Sequence, residues 1–230
     1  MSASAEKAGA VTTTPSGRIL PSVTVRPRPR SPCALPQRGR LRIPVSIDTY
    51  KAATARAAIE AGADIINDIS GLKFEPELAE VAADLGVPLV LMHTRGRPEV
   101  MQKLPPSPDI WAEVELSLAR SIDEAERRGV RRERLIIDPG VGFGKTLEDN
   151  YALINNLPRL GHFNLPLLVG PSRKSFLGRT VNRPTTELLP ATAAAVAACV
   201  LRGAHIVRVH DVWAMRDVCD IADATVRGGW

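Results

Sequence analysis

The sequence predicts an α/β protein built from repeated strand–helix units on a parallel sheet, and three observations support this. From about Leu41 onward, short apolar runs alternate with longer Ala-rich or amphipathic runs. Glycines such as Gly62, Gly86 and Gly129 close the longer runs, as helix C-termini require. A polar side chain follows each short apolar run, where parallel α/β proteins build their sites. Such units wind with right-handed crossovers into an open sheet or a closed barrel. The spacing of roughly 30 residues suits an eight-stranded barrel of about 250 residues, but only six units are visible.

In chain order, Val45 to Thr49 reads as the first strand, and the Ala-rich run Lys51 to Ala61 as a helix stopped at Gly62. Asp64 to Asp68 is a strand, Glu75 to Leu85 a helix closed by Gly86, and Val87 to Met92 a strand. A longer loop, Thr94 to Pro108, carries Arg95, Arg97 and four prolines before the helix Asp109 to Arg128. The strand at Leu135 follows, then a helix from Leu147 to Leu157 and the strand Pro166 to Val169. A helix from Glu187 to Arg202, the strand Ala204 to Val209 and the helix Val212 to Val226 complete six βα units.

Residues 1 to 40 read as a separate segment, rich in Ser, Thr, Pro and Arg, with no period, and are expected to be disordered. They hold no apolar core of a signal peptide. The Arg-rich, acid-poor composition resembles a transit peptide, yet the prolines oppose its amphipathic helix. Residues 41 to 230 form the folded domain.

Composition excludes several classes. The 230 residues are 44% hydrophobic, enough for one large core, but only 4% aromatic, so Ala, Val, Leu and Ile must fill it. No apolar run reaches the roughly 18 residues of a membrane span. Cys33, Cys199 and Cys219 are scattered, without zinc or disulfide spacing, which fits a reducing cytoplasm. The net charge of +5 invites a nucleic-acid reading. Residues 1 to 44, however, hold eight basic side chains and one acid, leaving 22 basic and 24 acidic residues for the rest. The folded body is therefore slightly acidic, which argues against a nucleic-acid partner.

The stretch Leu135-Ile136-Ile137-Asp138-Pro139-Gly140-Val141-Gly142-Phe143-Gly144-Lys145 delivers a carboxylate from a buried strand to a glycine-rich loop. Pro139 cannot donate to a sheet ladder, so the strand ends there. Gly144-Lys145-Thr146 resembles the end of a P-loop, but the position five before Gly144 is Pro139. The dinucleotide fingerprint would need glycine where Lys145 stands.

The other strand ends supply Asp48, Asn67 with Asp68, His93, Ser172-Arg173-Lys174-Ser175, and Arg208, His210 and Asp211. In a parallel sheet all converge on one mouth. Carboxylates and an amide match the donors and acceptors of a heterocycle edge, and a carboxylate can take two adjacent N–H donors at once. Arg208, His210, Arg173 and Ser175 suit an anion such as phosphate, and Lys174 could serve either group. The helical charge pairs between Glu113 and Arg134 read as a solvated face.

The segments Val45-Ser46-Ile47-Asp48-Thr49, Ile66-Asn67-Asp68-Ile69-Ser70-Gly71, Asp138 through Lys145, Gly170-Pro171-Ser172-Arg173-Lys174-Ser175-Phe176 and Arg208-Val209-His210-Asp211 together closely resemble dihydropteroate synthases, from about Leu41 to the end. The Ser-Arg-Lys-Ser-Phe segment separates this family from the related pterin-binding methyltransferases. The resemblance implies a TIM (β/α)8-type barrel, incomplete here with six units. It implies a transferase and sulfonamide target that condenses dihydropterin methyl diphosphate with p-aminobenzoate into dihydropteroate and pyrophosphate in folate synthesis. It assigns Asp48, Asn67, Asp138 and Lys174 to the pterin, Arg208 and His210 to the diphosphate, and Phe143, Ser172 and Ser175 to the aminobenzoate side. Lys174, Arg208 and His210 are the expected catalytic residues. Mg²⁺ is the implied cofactor, with its ligands unassigned, and a homodimer the implied assembly.

Two departures from the family stand out. The usual His-Met-Gln-Gly is His93-Thr94-Arg95-Gly96 here. The family's first two strands, with their mobile loops, have no counterpart in residues 1 to 40, the pattern of a truncated or frame-shifted start. The alternatives to an active synthase are therefore an inactive fragment that at most binds pterin, or a pterin-binding methyltransferase domain. A six-strand remnant would expose two sheet edges.

Overall fold

The structure is a computed structural model that describes residues 8–13, 19–25 and 43–228. Eight strands lie in one sheet: β1 (Ala8–Thr13), β2 (Ile19–Val25), β3 (Val45–Asp48), β4 (Ile65–Asp68), β5 (Leu89–Met92), β6 (Leu135–Asp138), β7 (Leu168–Val169) and β8 (Ile206–Arg208). Seven α-helices accompany them: α1 (Ala52–Glu60), α2 (Leu78–Leu85), α3 (Ile110–Arg127), α4 (Leu147–Asn155), α5 (Ser175–Val181), α6 (Leu189–Leu201) and α7 (Val212–Arg227). The six expected units are present, from β3 with α1 to β8 with α7. The short α5 lies between Val169 and Glu187, where the sequence reading assigns no element.

The sheet runs in the order β6-β5-β4-β3-β2-β1-β8-β7. A parallel bridge between Ile137 and Leu167 joins its two ends, with Ile137 N–H donating to Pro166 O at 3.0 Å. The strands therefore close into a barrel.

Residues 8–13 and 19–25 were expected to lack regular structure, and to that extent the expectation is corrected. β1 pairs antiparallel with both β2 and β8, and β2 pairs parallel with β3. The two strands fill the place between β8 and β3, the edges that the other six strands would expose. Local sequence conceals them, because Pro21 inside β2 cannot donate to a ladder and the prolines and glycines around the two strands read as turns and loop. Pairing to existing edges is a tertiary effect that propensity does not report. The rest of residues 1 to 40, Cys33 included, lies outside the described residues.

Period-two alternation assigns each strand residue to one of two faces. Ile47, Ile66, Leu89, Leu91, Leu135, Ile137, Val169 and Val207 belong to the main core under the helices, each at most 1% exposed. Burying one such side chain is worth about 1.5–3 kcal/mol. The alternate residues Ile65, Val90, Ile136, Leu168 and Ile206 form a second, smaller cluster that fills the barrel interior. Two residues further along the same face stand Asn67 on β4, Asp138 on β6 and Arg208 on β8. The apolar plug is thus the floor on which the polar strand ends sit.

The helices begin and end where side chains satisfy their termini. Asp109 caps α3 by accepting from Trp111 N–H at 2.9 Å and Ala112 N–H at 3.0 Å. Thr146 and Asp149 form a reciprocal capping box at the start of α4. Gly86 ends α2 with a φ of 64°. Among the described residues no helix is long and apolar enough to cross a membrane.

Candidate active site

Three linked groups of side chains stand at the C-terminal ends of the parallel strands. The first joins β3, β4 and β8. Asp48 Oδ1 accepts from Asn67 Nδ2 at 2.6 Å and from the Arg208 guanidinium at 3.1 Å. Asn67 is 2% exposed, and its Oδ1 is buried without a hydrogen-bond partner. A buried acceptor left unsatisfied costs about 1–3 kcal/mol, so this oxygen is poised for a ligand N–H.

The second group surrounds Asp138 at the end of β6. Its carboxylate is 2% exposed and accepts from Gly140 N–H at 2.7 Å. Burial pushes its pKa above the ordinary 3.8, and Arg208, the Gly140 N–H, Lys174 and Lys145 oppose that shift only in part. The glycine loop then turns back on itself. A Cβ on Gly140, at φ +68°, would lie 1.9 Å from His93 O, so only glycine fits. Beyond it, Phe143 is half-buried, and the Lys174 ammonium lies 3.9 Å from its ring centroid.

The third group joins the loop after β7 to that after β8. Ser172 Oγ lies 3.0 Å from His210 Nδ1 and accepts from His210 N–H at 3.2 Å. With the hydroxyl donating to Nδ1, a neutral imidazole carries its proton on Nε2. Arg173, at φ 54°, is held in the left-handed region by two bonds to Asp211, at 3.0 and 2.6 Å. That kink sets the direction of Lys174, the residue that precedes α5. Ser175 is exposed on the first turn of α5.

Asp48, Asn67 and Arg208 thus form one hydrogen-bonded unit, Asp138 lies within the fields of Arg208 and Lys174, and Ser172 orients His210. Asp68, although a strand-end carboxylate, turns away from this mouth. It accepts from Ser70 N–H and Oγ, both at 2.7 Å, and from Leu72 N–H at 2.6 Å, and so shapes a turn. A groove of about 520 Å³ beside α3, lined by Lys73, Glu113, Ser117 and Arg120 among others, includes none of the strand-end groups. The convergence of polar strand ends locates the site better than that concavity.

Sequence reasoning missed the role of Lys145. Its ammonium is buried under the glycine loop, 2.9 Å from His93 Nδ1 and 2.8 and 3.2 Å from Gly140 O and Phe143 O. Glu113, expected on a solvated face, accepts from Arg95 at 3.1 and 3.2 Å and lies 3.6 Å from His93 Nε2. The charge pairs further along α3, such as Arg127 with Glu124, are on the surface as expected.

Comparison with known proteins places this arrangement. The model of the pterin binding enzymes matches residues 33–210. Dihydropteroate synthase of Synechocystis is 48% identical over 191 residues, 83% of this chain and 66% of the relative. The crystal structure of the Yersinia pestis dihydropteroate synthase with a sulfonamide drug complex superposes with a TM-score of 0.79 at 39% identity, covering 82% of this chain and 69% of that one. The Xanthomonas albilineans dihydropteroate synthase in complex with 7,8-dihydropteroate superposes with a TM-score of 0.73 at 40% identity, covering 80% and 67%. The chain spans about two thirds of the length of these relatives. Barrel, strand-end chemistry and sequence agree, and the chain belongs to the pterin-binding enzyme family, among the dihydropteroate synthases.

Proposed function

We propose that the chain carries the pterin and diphosphate site of a dihydropteroate synthase, which joins dihydropterin methyl diphosphate to p-aminobenzoate in folate synthesis. The observation that carries this reading is the unit Asp48–Asn67–Arg208 beside buried Asp138. Acceptors for a guanidine-like ring edge stand there within reach of a guanidinium suited to phosphate. The relatives that bind 7,8-dihydropteroate, 4-aminobenzoic acid and a sulfonamide support it.

In this reading Asp138 accepts two adjacent N–H groups of the pterin, and Asn67 Oδ1 and Asp48 meet the remaining edge. The bond between the pterin methylene carbon and the diphosphate oxygen breaks, and its electron pair leaves with the diphosphate. Arg208 and the Nε2–H of His210 stabilise that charge, which is the main electrostatic contribution. The arylamine nitrogen then bonds to the methylene carbon and gives up a proton. Phe143 and Lys174 flank its approach, with Ser175 at the α5 start, so positioning is the second contribution. The resemblance implies Mg²⁺. Among the described residues, no group of three His, Cys, Asp or Glu is arranged to hold a metal ion, and no step here is routed through one.

A cytoplasmic location belongs to the same proposal and fits the two buried free thiols Cys199 and Cys219. So does a homodimer, for which Trp213 at 82% and Ile221 at 69% exposure offer apolar surface on α7. A pterin-binding domain over residues 41–230 is proposed likewise.

Calorimetric titration of the chain with dihydropterin methyl diphosphate and with the same pterin lacking diphosphate tests the assignment. Binding of both is expected, with Arg208→Ala weakening the diphosphate form ~10–100-fold and the plain pterin much less. Equal losses for both ligands would remove Arg208 from the anion site. Release of dihydropteroate on adding p-aminobenzoate then separates a synthase from a module that only binds pterin.

A further inference from the structure

The loop that carries Phe143 closes around the ammonium of its own last residue. Lys145 is 6% exposed, and its three N–H groups meet Gly140 O, Phe143 O and His93 Nδ1 at 2.8, 3.2 and 2.9 Å. Phe143 N–H also donates to Gly140 O at 3.1 Å, so one carbonyl anchors both the ring residue and the cation. The remaining loop polar groups are clamped from outside. Arg95 donates to Gly144 O at 3.2 Å, Gln102 to Gly142 O at 3.1 Å, and Gly142 N–H to Asn150 Oδ1 at 2.6 Å. Behind His93, Nε2 faces Glu113 at 3.6 Å, and Glu113 in turn holds Arg95. Arg95, the second cation on the loop carbonyls, is thus bound directly to Glu113, while neutral His93 lies near the same carboxylate without a hydrogen bond to it.

We propose that Lys145 is a positioning residue for the pterin site: its buried ammonium holds Gly140 to Phe143 in the shape that presents Phe143 and Asp138 to the substrates. The inference rests on the pterin reading above for its substrate, and on the loop geometry for everything else. Lys145 touches neither substrate. It acts because three acceptors in the interior demand three donors, and a neutral amine supplies two.

The ammonium is also the group in this cluster that titrates near neutrality. Burial lowers its pKa from 10.5 to about 7; Asp138 and Glu113 oppose that shift, and Lys73 and Lys174 add to it. His93 stays neutral throughout, held far below its ordinary value by burial and by Lys145, Lys73 and Arg95. Because enclosure is what lowers it, loss of the proton above about pH 7 leaves one acceptor without its donor yet favours the closed loop over any opening that returns the amine to its ordinary value.

The test uses the full chain, 6-hydroxymethyl-7,8-dihydropterin as probe, and amide hydrogen exchange of residues 140 to 144. In the wild type, pterin affinity is expected to hold or rise from pH 6 to 8, and loop exchange to rise more slowly than its intrinsic pH dependence. In Lys145→Met, loop exchange at pH 6 should accelerate at least tenfold and pterin affinity drop at least tenfold, with only the intrinsic pH dependence left in exchange. Lys145→Arg, which keeps the charge, should restore part of the affinity and push its pH dependence upward. Loop exchange in Lys145→Met that matches the wild type overturns the proposal, as does an unchanged pH profile. If Lys145→Met does not fold, wild-type loop exchange between pH 6 and 8 decides, and intrinsic behaviour alone refutes the clamp. Failure of the wild type to bind the probe at any pH would count against the pterin reading, while the exchange measurement still judges the clamp.

Discussion

Replacing Asp138 by Asn separates what this carboxylate does for binding from what it does to the fold. The amide oxygen keeps the bond from Gly140 N–H, now at 2.7 Å. The second carboxylate oxygen becomes an NH₂ group, which meets the pterin N–H donor to donor. One hydrogen bond to a charged group is lost, worth about 1.5–3 kcal/mol, or roughly 10–150-fold in affinity. Stability should respond differently. Burial raises the folded-state pKa of Asp138 above 3.8, so its contribution is most favourable below that value and is lost as pH rises through the folded pKa. As pH rises above 3.8 burial of this group becomes a net cost, which Asp138→Asn relieves. Fluorescence titration with the pterin and thermal unfolding at pH 7 measure the two effects. We expect affinity to fall by the stated factor while the unfolding temperature holds or rises. Affinity within twofold of wild type would refute the carboxylate as a pterin ligand. A drop of more than ~4 °C, roughly 1 kcal/mol for a chain of this size, would refute the electrostatic argument.

Two glycines of one loop should respond very differently to alanine. At Gly140 the new Cβ meets backbone, 1.9 Å from His93 O, and Gly140→Ala should cost ~3 kcal/mol or more or abolish folding, read by circular dichroism. At Gly142 it meets the flexible Lys174 stem at 2.8 Å, and Gly142→Ala should cost about 1 kcal/mol while moving Lys174 off Phe143, read as weaker binding with a near-normal unfolding temperature. Lys145 adds a pH dependence of opposite sign to that of Asp138. With its folded pKa near 7 against an ordinary 10.5, the unfolded state binds the extra proton between those values. This residue therefore makes stability rise with pH across that window, and urea midpoints at pH 7 and 9 should show a rise that Lys145→Met diminishes.

How much of this was legible beforehand depends on the range over which each signal acts. Strand placement, the helix stops at Gly86 and Gly129, and the polar ends Asp48, Asn67 and Asp138 follow from period-two and helical patterns within a few residues. The same alternation separates Asn67, on the face of Ile65, from its neighbour Asp68, which turns to Ser70 and Leu72. The pairing of β1 and β2 with β8 and β3 was not legible, because β1 is a run of small residues and Thr without alternation and β2 is interrupted by Pro21. Nor was the cluster around Lys145. Its bond to His93 spans 52 residues and exists only because β5 and β6 are neighbours in register, with Met92 beside Asp138.

The chain's sequence by itself determined the class of fold, the set of candidate strand-end residues and the family, since these rest on local periodicity and on residue types at fixed spacing. Only the tertiary structure decided which of those residues touch: that Asp48 bridges Asn67 and Arg208, that Ser172 orients His210, and that Lys145 lies under the loop rather than on a phosphate. The physical reason is barrel closure. Side-chain contacts at the mouth depend on strand order and register around the whole ring, and those are settled by burying the inner plug and the outer core together, not by any one segment.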